Sequence, residues 1–266
     1  MSDTFSPFVG ASDIDVWLTD YTAVTDPTVL ARFELLMNST ERAQQQRFRF
    51  ADDRLRYLVT RALLRTVLST YAPVAPADWE FTLNEYGRPG ISARHGLSNL
   101  SFNISHTKGL IALAVSRRFE VGIDVENTAL RPAPLEVAGQ TFAPTEVADL
   151  DSMAPDLQHE RFFTYWTLKE SYVKARGMGL SLPLDRFSFS FPLPRRIHLG
   201  IAPELEDDAA HWRFWLGRPT PDHLLALCVG QVETSTETSP PCVAVHSMVP
   251  GAGDHTLSLD WLRSPA

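Results

Sequence analysis

The sequence predicts an α+β protein of two similar subdomains, each with helices packed on a small antiparallel sheet. One observation is that the same order of predicted elements occurs twice along the chain. Each time there are polar helix starts, then a long helix with regularly spaced apolar residues, then short segments that alternate between apolar and polar residues. A second is the similarity of residues 110–115, LIALAV, to residues 224–229, LLALCV. Together they indicate an internal duplication.

Composition narrows the class of protein. The 266 residues are 44% hydrophobic and 21% charged, which is typical of a soluble globular chain with one sizeable core or two smaller ones. The net charge of −8 argues against bulk attraction to nucleic acid or an anionic membrane. Two cysteines, a start without signal-peptide character and short apolar runs predict a soluble, cytoplasmic protein.

The first half begins its helices with the capping residues 38–41. Apolar residues at helical spacing predict a helix over residues 52–70, and its outer face is expected to be rich in arginine because residues 41–65 hold seven basic and three acidic side chains. Alternation predicts strands at 79–83, 100–105 and 110–115, with a turn at 84–89.

The second half repeats this order. A helix is expected after Pro144, a long one covers residues 158–176 and ends at Gly177, and strands are expected at 187–191, 211–216 and 224–229. We expect subdomains at residues 1–120 and 121–232 and a C-terminal extension, 233–266, of undetermined role. Residues 233–241 have the composition of a linker or mobile loop, and the acidic stretch 201–238 that of solvated surface.

A first candidate site lies in residues 121–126, VGIDVE. Strand geometry puts Asp124 and Glu126 on the same side, and Gly122 allows a close approach of another element. Two adjacent carboxylates repel each other, and a hard divalent cation would compensate them. The alternative is an exposed strand with both charges in water.

A second candidate site is on the long helix. Glu170 and Lys174 are four residues apart and therefore share a face. The alternative is an ordinary surface ion pair, which contributes a few tenths of a kcal/mol. Gly177 and Gly179 follow directly, as expected where a backbone turns tightly or approaches a ligand.

A third candidate site is the polar end of a strand, residues 102–109, FNISHTKG. Ser105, His106 and Lys108 together suit an anion. The structural alternative is that His106 has no ligand role and that Asn103 bonds to neighbouring backbone.

The combination, in this order, resembles a known family. NEYGRP at 84–89, NISH at 103–106, GIDVE at 122–126 and WTLKESYVK at 166–174 with GMGL after it resemble the 4′-phosphopantetheinyl transferases, specifically the Sfp-type enzymes with two similar halves. The resemblance runs from about residue 47 to about residue 229. It implies the fold of that family, with subdomains related by a pseudo-twofold axis.

The resemblance also implies an activity, that of a holo-[acyl-carrier-protein] synthase. Such an enzyme transfers the phosphopantetheine arm of coenzyme A to a serine of an acyl or peptidyl carrier protein and releases adenosine 3′,5′-bisphosphate. It implies Mg²⁺ as cofactor, carrier proteins and coenzyme A as partners, no nucleic-acid or membrane partner, and a monomer.

Site residues follow by motif from the same resemblance. Asp124, Glu126 and Glu170 would hold Mg²⁺, with Glu170, or Glu126 through a water, as general base. Lys174 would contact the phosphates and stabilise the leaving group. The remaining residues implied for coenzyme A are Arg47, Gly87, Arg88, Ser105 and His106.

One departure from the family pattern concerns the nucleotide contacts. Glutamines occupy positions 44–46, where family members often have a basic residue before the Arg47 position, so Arg42 or another arginine would have to substitute. Two further functions use the same residues: a metal-dependent hydrolase of phosphate esters or anhydrides, and a non-catalytic module that binds coenzyme A or a carrier protein.

Overall fold

A computed structural model describes residues 12–230, 240–250 and 253–265 as an α+β protein. The helices of the first half are α1 (Pro27–Leu36), α2 (Ser39–Arg47) and α3 (Ala51–Tyr71). Its strands are β1 (Ile14–Thr19), β2 (Phe81–Leu83), β3 (Pro89–Ile91), β4 (Ser101–Thr107) and β5 (Leu110–Ser116). The predicted long helix is confirmed, and the strand expected at 79–83 is shorter because its first two residues lie outside β2.

The second half has the same order of elements. Its helices are α4 (Ala138–Thr141), α5 (Pro144–Ser152) and α6 (Pro155–Arg176). Its strands are β6 (Glu120–Asn127), β7 (Phe187–Ser190), β8 (His198–Ile201), β9 (Trp212–Thr220) and β10 (His223–Gly230). The C-terminal strands are β11 (Val243–Val249), β12 (Gly253–Leu257) and β13 (Trp261–Arg263). Among the described residues no helix is long and apolar enough to cross a membrane.

Strand pairing repeats between the halves. The first sheet contains the order β1-β5-β4 and the second the order β6-β10-β9, each with antiparallel neighbours. A separate hairpin accompanies each sheet, β2–β3 in the first half and β7–β8 in the second. The predicted duplication therefore appears as one topology used twice.

The two sheets pack face to face between the two long helices. Alternate residues of β5 and β10 point to opposite sides, and both strands are buried on both faces. One side of each strand enters a core shared by the two sheets, and the other side packs under α3 or α6. The halves therefore meet along the sheets, with β4 and β5 beside β6.

The C-terminal extension adds strands to both sheets. β11 pairs with β1 in parallel and β12 completes that edge, whereas β13 pairs with β9. The expected antiparallel sheet is therefore correct for the repeated unit, whereas this added edge contains a parallel pair. Most of the predicted linker, 233–241, falls on residues 231–239 and lies outside the described residues.

The arginine-rich surface of α3 is smaller than the sequence predicts. Arg65 is fully buried and its guanidinium donates to Glu41 Oε2 at 2.8 Å and to the Trp79 carbonyl at 2.9 Å. Arg61 also binds Glu41. The expected arginine-rich outer face therefore does not include Arg65, because a buried carboxylate can hold an arginine inside the core.

Candidate functional site between the two halves

The two acidic residues of β6 face the long helix of their own half. Three alternate residues of this strand enter the core shared by the sheets, namely Val121, Ile123 and Val125. Period-two geometry therefore turns Asp124 and Glu126 the other way, toward α6. The prediction that the two carboxylates share a side is confirmed, and Asp124 is buried rather than exposed.

Gly122 sets how closely α6 lies on β6. A Cβ atom at this position would be 2.1 Å from the Ser171 carbonyl oxygen and 2.4 Å from the Ala175 nitrogen. Both are backbone atoms of α6, so no side chain fits between strand and helix. The predicted close approach is confirmed, and it brings Glu170 and Lys174, which lie on the last turns of α6, next to the strand.

Lys174 connects three elements. Its Nζ donates to Asp124 Oδ1 at 2.6 Å and to Ser105 Oγ at 2.9 Å, and Ser105 Oγ also donates to Asp124 Oδ1 at 2.9 Å. The side chain of Lys174 is 27% exposed and that of Asp124 is 6% exposed. Lys174 therefore binds across the boundary between the halves, which a surface pair along one helix would not do.

Burial and the charge of Asp124 raise the pKa values of the two neighbouring carboxyls, Glu126 and Glu170. Burial raises the pKa of Glu126 to about 7, and the charge of Asp124 adds to the shift. Burial also raises the pKa of Glu170, again with a contribution from Asp124, while Lys174 acts in the opposite direction. Trp166, the first residue of the helix motif, donates its Nε1 to Glu126 Oε1 at 2.9 Å. No spacing in the sequence indicates that contact.

The residues fit a hard divalent cation by their chemistry. Asp124 Oδ2 is buried and has no hydrogen-bond partner within the described part of the chain. An unpartnered carboxylate oxygen beside two carboxyls with raised pKa values is the kind of oxygen donor set that Mg²⁺ takes. Within residues 12–230, 240–250 and 253–265, however, no three such side chains already form a metal-ligand cluster.

Side chains of β4 replace backbone partners along β6. Asn103 Oδ1 accepts from the Ile123 N–H at 2.9 Å, and Thr107 Oγ1 accepts from the Asn127 N–H at 3.2 Å. Ser105 Oγ lies between them and is 3.4 Å from the Val125 nitrogen. The structural alternative for Asn103 is therefore confirmed. Since these positions alternate along β4, strand periodicity indicates that the side chains share one face.

His106 is the exposed member of the same strand end. The surrounding protein removes enough of its hydration to lower its pKa, and the positive charges of Arg56 and Lys174 lower it further. Arg56, on α3, forms an ion pair with Asp53 at 2.5 Å. The sequence counted Arg56 among the basic residues of α3 without placing it near His106.

A cavity of about 290 Å³ lies where the halves meet. Its walls are the turn between β2 and β3, the strand β4 and the end of α6. The lining residues are Tyr86, Gly87, Arg88, Pro89, Asn103, Ile104, Glu170, Val173, Lys174, Gly177 and Gly179. The structure thus brings together residues from three of the four motifs, which are far apart in the sequence.

Two of the residues implied for coenzyme A, Arg47 and Arg88, have polar contacts within the protein. Arg47 lies on the exposed face of α2, where its guanidinium is 3.4 Å from Gln44 Oε1, and it does not line this cavity. Arg88 lines the cavity, but its Nη1 donates to the Ala175 carbonyl at 2.7 Å. Gly87 beside it has φ of +86°, as expected for a tight turn.

The comparisons with known proteins agree with these motifs. The sequence profile described as the 4′-phosphopantetheinyl transferase superfamily matches residues 120–228, and the profile described as 4′-phosphopantetheinyl transferase, N-terminal, matches residues 26–118. A 4′-phosphopantetheinyl transferase of Bacillus subtilis is 38% identical over 157 residues, which are 59% of this chain and 67% of that one. The chain therefore belongs to the 4′-phosphopantetheinyl transferase superfamily.

Other relatives support the Sfp-type assignment. 4′-Phosphopantetheinyl transferase Sfp of Bacillus subtilis strain 168 is 37% identical over 157 residues, 59% of this chain and 67% of that one. 4′-Phosphopantetheinyl transferase HetI of a Nostoc species is 37% identical over 147 residues, 54% of this chain and 61% of that one. These matches confirm the resemblance of the four motifs to those of the Sfp-type enzymes.

Proposed function

We propose that this protein transfers the 4′-phosphopantetheine arm of coenzyme A to a serine hydroxyl of an apo acyl or peptidyl carrier protein. The serine oxygen forms a bond to the phosphorus next to the pantetheine arm, the pyrophosphate bond breaks, and adenosine 3′,5′-bisphosphate leaves. The main support is the meeting of Asp124, Glu170 and Lys174 beside one cavity between the halves. Membership of the superfamily points to the same reaction.

Glu170 is the general base in this proposal. Its carboxylate lines the cavity, whereas Glu126 accepts a hydrogen bond from the Trp166 indole. Burial and the neighbouring Asp124 raise the pKa of Glu170, which brings a carboxylate closer to the range in which it removes a proton well near neutral pH. The serine proton passes to Glu170 as the oxygen attacks.

Lys174 stabilises the phosphate charge. It is held by Asp124 and Ser105 at the edge of the cavity, so its ammonium group is oriented before a substrate arrives. A positioned cation at the pyrophosphate favours the transition state, in which negative charge moves to the leaving group. The positive charge of Arg56, which lies near His106, extends the basic surface beyond the strand end.

Asp124, Glu126 and Glu170 would hold Mg²⁺, because Asp124 has a buried, unpartnered oxygen and the other two carboxyls are crowded by its charge. When bound, the cation neutralises pyrophosphate charge. The protein has a net charge of −8 and would bind a polyanion, coenzyme A. Local positive charge at the site compensates the overall negative charge.

The remaining attributes follow from the proposed reaction. The partners are coenzyme A and carrier proteins, with no role for nucleic acid or membrane, and the compartment is the cytoplasm. We propose a monomer, since both halves of the cavity wall come from one chain.

Intact-protein mass spectrometry tests the reaction directly. Incubation with coenzyme A, Mg²⁺ and a panel of apo fatty-acid, polyketide and peptide carriers should add about 340 Da to a carrier, the mass of the transferred arm. No gain across the panel would contradict the proposal. Hydrolysis of coenzyme A without a carrier would favour the hydrolase, and binding without either reaction would favour the binding module.

A further inference from the structure

The side chain of Asn84 binds two backbone N–H groups of the turn at residues 84–88. Asn84 Oδ1 accepts from the Tyr86 N–H at 3.0 Å and from the Arg88 N–H at 2.8 Å. Backbone bonds from Gly87 N to the Asn84 carbonyl and from Asn84 N to the Arg88 carbonyl, both 3.0 Å, complete the turn. All four bonds lie within residues 84–88, so the turn holds its shape through its own atoms.

The same turn holds the carboxyl end of α6. Asn84 Nδ2 donates to the Gly177 carbonyl at 2.8 Å, 93 residues further along the chain. Arg88 Nη1 donates to the Ala175 carbonyl at 2.7 Å, and its Nη2 donates to the Val121 carbonyl at 3.2 Å. A cation is favoured at this end of a helix because the last carbonyls carry partial negative charge.

Gly177 makes this contact possible. It ends α6 in the left-handed conformation with φ of +67°, and a Cβ atom there would be 3.0 Å from Arg88 Cδ. Gly179 follows, also with positive φ, and a Cβ there would lie 3.4 Å from the Tyr86 carbonyl oxygen. Two glycine-containing turns from different halves are thus in direct contact.

We infer that Asn84 and Arg88 form a clamp that sets the position of α6 relative to the turn around Gly87. Glu170 and Lys174 lie on the last two turns of that helix, and the cavity lies between them and the clamped turn. Asn84 and Arg88 are therefore positioning residues: they fix the separation of the cavity's two walls. The effect of Asn84 and Arg88 on coenzyme A binding rests on the proposed function, whereas their contacts with α6 can be tested without coenzyme A.

Asn84→Asp removes the hydrogen bond to α6 and leaves the bonds within the turn in place. The new carboxylate has the same shape and can still accept from the Tyr86 and Arg88 N–H groups. It cannot donate to the Gly177 carbonyl, and it places a second oxygen against that carbonyl, which costs more than the loss of a hydrogen bond. Asn38→Asp is the matched control, because it adds the same charge at the cap of α2, where an aspartate caps equally well.

Calorimetric titration with coenzyme A and Mg²⁺ gives the first measurement. Asn84→Asp should raise the Kd for coenzyme A about tenfold and the KM for coenzyme A in parallel, with the KM for the carrier unchanged. A purely structural role would reduce the active fraction without moving the Kd or KM. Arg88→Lys, which keeps the charge but loses the two-pronged contact, should act in the same direction, and Asn38→Asp should match the parent.

Amide hydrogen exchange of the ligand-free protein separates the two hypotheses. Asn84→Asp should speed exchange at the end of α6, residues 175–177, about tenfold relative to the parent and to Asn38→Asp. If the parent fails to modify carriers but this acceleration is seen, the proposed function is wrong and the clamp stands. Parent-like exchange together with parent-like coenzyme A affinity in both clamp variants would overturn the clamp.

Discussion

Gly122→Ala is the sharpest test of how the site is assembled. The added Cβ would lie 2.1 Å from the Ser171 carbonyl oxygen, and ordinary contacts begin at 3.4 Å, so strand and helix must separate by about 1.3 Å. Overpacking of this kind typically costs about 1–3 kcal/mol of stability. Because Asp124 is on the strand and Glu170 on the helix, a displacement near 1 Å should also slow transfer about 100-fold.

Two assays and one control decide this prediction. Thermal unfolding should show a fall in Tm of about 2–4 °C for each kcal/mol lost, and carrier modification should be timed at a temperature where the variant is folded. Gly139→Ala is the control, since nothing lies within 4 Å of a Cβ there and alanine favours its short helix. A Gly122→Ala protein with the stability and rate of the parent would show that β6 and α6 are not in contact as described.

Three further predictions concern the charges of the site. Asp124→Ala and Glu170→Ala should each abolish most carrier modification while circular dichroism stays native, because each removes an oxygen donor proposed for the metal, and near-normal rates in both would mean that the site lies elsewhere. Lys174→Ala should slow transfer about 100-fold through loss of a positioned cation, and an unchanged kcat would remove it from the mechanism. Since the pKa of Glu126 is about 7 when folded and 4.5 ordinarily, its contribution to stability is present below about pH 4.5 and lost as pH rises through 7. In EDTA, Glu126→Gln should therefore be more stable than the parent at pH 8, by at most about 3 kcal/mol in urea unfolding, and an identical pH dependence would refute the shift.

Local pattern was sufficient for much of the fold and for part of the site. The helical spacing over residues 158–176 predicts that Glu170 and Lys174 share a face, and alternation in β6 predicts the same of Asp124 and Glu126. Both hold, because helix and strand periodicity is fixed by backbone geometry within a few residues. The repeated order of elements likewise predicted the duplicated topology, since each half can satisfy its own strand pairing.

Contacts between distant segments were not predictable in this way. The sequence placed Arg65 with the exposed arginines, but the burial of Glu41 draws it into the core. It also does not indicate that Arg88, which lines the cavity, donates to the Ala175 carbonyl at the end of α6. In each case the arginine binds the polar groups that the folded chain would otherwise leave unpaired.

The periodicity of each element assigns its residue types to faces, and so places two carboxylates on one side of a strand and a carboxylate and an amine on one side of a helix. How these faces meet depends on the folded chain. Lys174 binds Asp124 because Gly122 lets α6 lie directly on β6, and because side chains of β4 join the two sheets beside them. Periodicity is a property of a few neighbouring residues, whereas burial and hydrogen-bond satisfaction depend on the whole folded chain.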